Sequence, residues 1–71
     1  MWIMTIEFRN RDYEYVKQWP NWTGIIPIAG DTVVIHFGDY AEEEYSYEVE
    51  ERIIDGTNTD KVVLIINYEI N

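Results

Sequence analysis

The chain has 71 residues, 46% of them hydrophobic and 15% aromatic, with 14 acids against 5 bases and a formal net charge of -9. That apolar content is too high for intrinsic disorder, and the length suits one domain, residues 1–71, burying about 60% of its open-chain surface. The absence of cysteine excludes disulfides, thiolate nucleophiles and cysteine-based zinc sites, and the acidity argues against direct binding to nucleic acid or an anionic membrane, whose phosphates call for cations.

The periodicity is that of a β protein. In residues 2–8, Trp2, Met4, Ile6 and Phe8 alternate along the chain, which predicts a strand with these four on one face. Arg9-Asn10-Arg11-Asp12 predicts a polar hairpin turn. Residues 13–19 read as the return strand, with Tyr13, Tyr15 and Trp19 on one face; Asp12 as an N-cap leaves a short helix over 13–18 open. Trp19-Pro20-Asn21-Trp22-Thr23-Gly24 reads as a loop carrying two indoles. Residues 25–28 are extended around Pro27, Gly30-Asp31 is a turn, and residues 32–37 form a β-branched strand. An acidic loop over 38–44 follows. Residues 45–54 alternate, with Tyr45, Tyr47, Val49, Glu51 and Ile53 on one face and Ser46, Glu48, Glu50 and Arg52 on the other. Residues 55–60 are a dense turn signal. A last strand carries Val62, Leu64, Ile66, Tyr68 and Ile70 in register.

About five short strands in so small a chain predict an all-β fold. A single curved antiparallel sheet closing into an SH3-like or OB-like barrel hides both faces and protects its edges. The longest apolar run, Val62-Val63-Leu64-Ile65-Ile66, is far too short to span a bilayer. Residues 1–8 have no basic start and no long apolar stretch, so no signal peptide is expected and a cytoplasmic location follows.

Ile26-Pro27-Ile28-Ala29-Gly30-Asp31-Thr32-Val33-Val34-Ile35, then Tyr47-Glu48-Val49-Glu50-Glu51-Arg52, then residues 62–66 form a pattern of the type P-x-x-G-D-x-V-x-I … Y-x-V-x-x-R … V-x-L. With it the chain resembles a loose group of small uncharacterised proteins of gut bacteria, their phages and mobile elements. The resemblance covers about two thirds of the chain and implies a small curved-sheet barrel. It carries no common activity. Pro-x-x-Gly-Asp is itself turn chemistry: Pro fixes φ, Gly allows positive φ, and Asp bonds local amides.

Nothing in the residues assembles a catalytic site. His36 is the only histidine and Ser46 the only serine, and a Ser-His-Asp relay needs three converging groups and an oxyanion hole. No spacing singles out a carboxylate pair for glycoside chemistry. Asp39, Glu42, Glu43 and Glu44 offer hard oxygen ligands but do not follow the EF-hand spacing. No glycine-rich phosphate loop precedes a helix. The expectation is a non-enzyme without metal or cofactor.

Charge distribution supplies the positive signal. Residues 1–38 hold four acids and three bases, a net of -1, whereas residues 39–71 hold ten acids and two bases, a net of -8. Such a run serves as a solvated face that blocks edge pairing, or it docks a basic partner or imitates nucleic-acid phosphate. The functional reading assigns charge to Asp39, Glu42, Glu43, Glu44, Glu48 and Glu50, and apolar anchoring to Trp19, Trp22 and Tyr40, because Trp and Tyr dominate interface hot spots. It describes a non-catalytic acidic module that binds another protein with a basic surface, in the manner of a phage or mobile-element inhibitor or a nucleic-acid mimic. Two alternatives stay open: a structural or assembly protein, homo-oligomeric or a virion accessory, and an SH3-like peptide-binding domain.

Overall fold

The computed structural model describes residues 3–38, 44–58 and 60–68. Five strands follow one another: β1 (Met4–Arg9), β2 (Tyr15–Trp22), β3 (Thr32–His36), β4 (Glu44–Ile54) and β5 (Lys61–Ile66). They form one sheet in the order β2-β1-β5-β4-β3, curled into a half-barrel consistent with a small SH3-like or OB-like barrel. The all-β, five-stranded architecture expected from the periodicity is therefore observed. Residues 13–18 contain no helix. Among the described residues no helix is long and apolar enough to cross a membrane.

The sheet is mixed rather than wholly antiparallel. β1–β2, β3–β4 and β4–β5 pair antiparallel, but β1 and β5 run parallel. A hairpin (β1–β2) and a meander (β3–β4–β5) are thus joined side by side through their most apolar strands. β5 reads KVVLII and sits at the centre with Val62, Leu64, Ile65 and Ile66 buried. A continuous apolar run is the signature of a strand covered on both sides.

Ile6, Phe8, Val33, Ile35, Val49, Val62, Leu64 and Ile66 make the core on the concave face. Directly opposed residues share a face, so the register orients the rest. Glu7 faces Val63 and Arg9 faces Ile65 on the outer side. There the Glu7 carboxylate, only 7% exposed as a residue, is bracketed by Arg9 Nε at 2.8 Å and Lys61 Nζ at 3.3 Å. Burial pushes the Glu7 pKa up, but the two cations outweigh it through hydrogen bonds and charge and hold it below the usual value.

Three bulges bend the sheet, because each inserts one unpaired residue and increases local twist. On β2, Phe8 faces Lys17 while Arg9 faces Tyr15, leaving Val16 extra. Tyr15 therefore lies on the outer side with Arg9 while Trp19 lies opposite Ile6 on the core side, so the expected common face of Tyr13, Tyr15 and Trp19 is broken. On β4, Val49 faces Ile66 while Glu51 faces Ile65, leaving Glu50 extra. Beyond it, Glu51 and Ile53 oppose the outer-side residues Ile65 and Val63, not the face of Tyr47 and Val49 as simple alternation predicts.

The turns follow their side chains. In the β1–β2 hairpin, buried Asn10 accepts the amides of Asp12 and Glu14 on Oδ1, both at 2.9 Å, and Tyr13 takes a positive φ of 62°. Before β3, Gly30 has φ 97° and the Ile28 amide donates to Asp31 Oδ2 at 2.9 Å. Gly30 and Asp31 of the Pro-x-x-Gly-Asp turn thus play their expected local parts.

Candidate protein-binding surface

Two groups of aromatic rings lie at opposite ends of the strands. The first contains Trp19 and Trp22. Met4 faces Trp22 and Ile6 faces Trp19, so three steps along β2 match two along β1. Asn21, with φ 58°, takes up the extra residue. Without this bulge, residues three apart would point to opposite faces; with it, both indoles turn onto the core. They stack at 4.7 Å, and Trp19 meets Phe8 edge-to-face at 4.6 Å. Trp22 Nε1 donates to the Ile25 carbonyl at 3.0 Å. A Cβ at Gly24 would come within 3.0 Å of the Trp22 ring, so the chain crosses the indole where only glycine fits comfortably. The segment expected to be a loop is strand through Pro20 to Trp22, which an edge strand with a bulge tolerates.

The second group joins Phe37 to Tyr45, Tyr47 and Tyr68. Phe37 continues the inward alternation of Val33 and Ile35, and Tyr68 continues that of Val62, Leu64 and Ile66. Tyr45 and Tyr47 face Ile35 and Val33. All four rings therefore emerge at one end of the concave face. Phe37 lies 6.0 Å from Tyr45, 6.4 Å from Tyr47 and 6.0 Å from Tyr68, and Tyr47 lies 5.5 Å from Tyr68. Phe37, Tyr47 and Tyr68 are half-buried and Tyr45 is 55% exposed. Burial raises the Tyr47 phenol above its usual value, and the neighbouring Tyr68 and Tyr45 add to the shift.

The described acids of the run divide by their partners. Glu50, placed at the β4 bulge, is taken up by Arg11 of the hairpin turn through two bonds of 2.7 Å. The hydrogen bond and charge of Arg11 lower its pKa. Glu44, Glu48 and Glu51 are exposed and, among the described residues, form no ion pair with lysine or arginine. Glu44 lies 3.8 Å from His36 Nε2, an ion pair only when the imidazole is protonated. The Glu48 amide donates to Asn67 Oδ1 at 3.0 Å, and Asn67 N donates back to the Glu48 carbonyl at 3.2 Å, which fixes the backbone beneath this acid. Asp39, Tyr40, Glu42 and Glu43 lie outside the described residues.

His36 and Ser46 are exposed on β3 and β4. Among the described residues no group of three histidines or carboxylates is placed to hold a metal ion. What the β3–β4 half offers is a ring cluster on the concave face and, on the outer face of β4, carboxylates that form no ion pair with lysine or arginine among the described residues. Glu44 and Glu48 alternate with Tyr45 and Tyr47 along β4 and so lie on the opposite face from them, and Glu51, beyond the bulge, opposes the outer-side Ile65. In comparison with known proteins, no family model, no curated protein and no solved structure matches the chain.

Proposed function

We propose that this is a non-catalytic binding module that docks a basic surface of another protein through the β3–β4 half of the sheet. The observation that carries the reading is that Glu44, Glu48 and Glu51 share the outer face of β4 with no lysine or arginine ion pair among the described residues, while the other face of the same strand carries the partly exposed rings of Tyr45 and Tyr47 beside Phe37 and Tyr68. Charge of one sign steers a partner of the other, and aromatic side chains supply contact area at low entropic cost. Trp19 and Trp22 contribute to this surface only through the fold. A partner that handles nucleic acid would present the required cations, since it must neutralise phosphate.

The test is titration of a lysine- and arginine-rich peptide containing no acids, followed by chemical shifts. Expected are shifts at Tyr45, Tyr47 and Tyr68, with affinity falling at least about tenfold between 50 mM and 0.5 M salt as the charges are screened. Binding indifferent to 0.5 M salt would remove the electrostatic half of the proposal. Shifts scattered over the whole surface would remove the site.

A further inference from the structure

The two edges of the sheet are not alike. β2, at one edge, carries two bulges, Pro20, Lys17 and the left-handed Asn21. These are the devices that keep an edge from pairing with another chain. β3, at the other edge, reads TVVIH. It has no proline, no lysine and an unbroken register with β4.

The phase of the β3–β4 ladder fixes which backbone groups face outward. The Val49 amide donates to the Asp31 carbonyl at 2.8 Å, so that pair is a hydrogen-bonded one. Bonded and non-bonded pairs alternate in an antiparallel ladder, and Thr32 with Glu48, Val34 with Ser46 and His36 with Glu44 are the non-bonded pairs. The N–H and C=O groups of Thr32, Val34 and His36 consequently point away from β4. Among the described residues no backbone hydrogen bond reaches them from the far side.

We propose that this edge accepts an extended, basic segment of a partner protein as a sixth strand, hydrogen-bonded to Thr32, Val34 and His36. The inference rests on the reading of a basic partner given above and names how that partner docks. Complementary charge selects the occupant. Glu44 and Glu48 stand across the ladder from His36 and Thr32, so an added strand lies two strand spacings from their backbone, about 10 Å. That is near the screening length in dilute salt, about 10 Å at 0.1 M. A second copy would instead bring another chain of net charge -9 to the same edge. Addition of a strand gives affinity through the backbone and specificity through alternate side chains. The inward residues of that strand would extend the apolar row of Val33 and Ile35.

The probe is a capped alternating lysine–valine octapeptide, compared with the same peptide N-methylated at alternate residues. Val34→Pro removes one outward N–H and leaves the β4 ladder intact. Val34→Lys, at a side chain 43% exposed, adds a like charge and keeps the backbone. Expected are slowed hydrogen exchange at the amides of Thr32, Val34 and His36 on binding and at least tenfold weaker binding by both variants. The methylated peptide should also bind at least tenfold more weakly. Binding by both variants equal to that of the parent chain would overturn the strand-docking inference; if that binding stays salt-sensitive, the acidic-surface reading survives. Loss of binding in both variants with no effect of 0.5 M salt would do the reverse. Protection of these amides in the free protein, with a dimer in sedimentation, would assign the edge to a second copy and overturn the proposal. No binding at 1 mM peptide would sink both readings.

Discussion

The β1–β2 side of the molecule and the β3–β4 side are built from similar materials used in opposite ways. Each carries an aromatic cluster and carboxylates. On the first side, Trp19 and Trp22 are folded onto Phe8, and Glu7 is held between Arg9 and Lys61. On the second, Tyr45 is 55% exposed, and among the described residues Glu44, Glu48 and Glu51 form no ion pair with lysine or arginine. One edge strand is blunted by bulges and proline; the other is regular. Both sides feed the shared core, the second through Val33, Ile35 and Val49; they differ in how their acids are paired and in how regular their edge strands are.

Removing the inward cluster is the strongest way to break that comparison. Trp19→Ala deletes a ring that touches both Phe8 and Trp22, and a cost of about 3 kcal/mol is expected in urea unfolding. A loss below about 1 kcal/mol, the typical scale of ordinary substitutions, would make the tryptophan pair a surface feature instead.

Glu7→Gln comes next. It leaves Arg9 and Lys61 without their shared carboxylate, and about 1–3 kcal/mol is expected. The pH dependence sharpens the result. The folded pKa of Glu7 is lowered from 4.5, so the unfolded chain takes up that proton first as pH falls. The stabilising contribution is therefore present above the ordinary glutamate value and is lost as pH falls through the folded one. Stability of the parent chain should decline below about pH 4.5 more steeply than that of the variant. Parallel acid-unfolding curves would remove Glu7 as the source. The lowered carboxyls of Glu50 and Asp55 act with the same sign in both proteins.

Asn21→Ala addresses the bulge that turns both indoles inward. Its φ of 58° favours Asn or Gly over Ala, and about 1 kcal/mol is expected, with Asn21→Gly nearly neutral. An alanine variant as stable as the parent would show that the turn carries no strain. Least costly to the fold is Tyr45→Ala, expected within about 1 kcal/mol in the same assay. Its effect belongs to binding, where loss of about tenfold for the basic peptide is the hot-spot scale. Unchanged affinity would take the tyrosine cluster out of the site.

Much of the strand pattern was legible because alternation and turn chemistry are local. Met4, Ile6 and Phe8, Val33 and Ile35, and Val62, Leu64 and Ile66 announce one inward face each; all but Met4 are in the buried core, and Met4 packs against it. The turns at Gly30-Asp31 and over 55–58 follow from residues within four positions of one another. The asymmetry of charge was also legible, since net charge is additive along a chain. Bulges were not, because an extra residue is defined only against a partner strand. Hence the common face of Trp19 and Trp22, the reversal after Glu50 and the separation of Tyr15 from Trp19 escaped the periodicity. The parallel join of β1 to β5 is likewise a matter of topology. It decides which strands are left at the edges, and with that which backbone groups point away from the sheet.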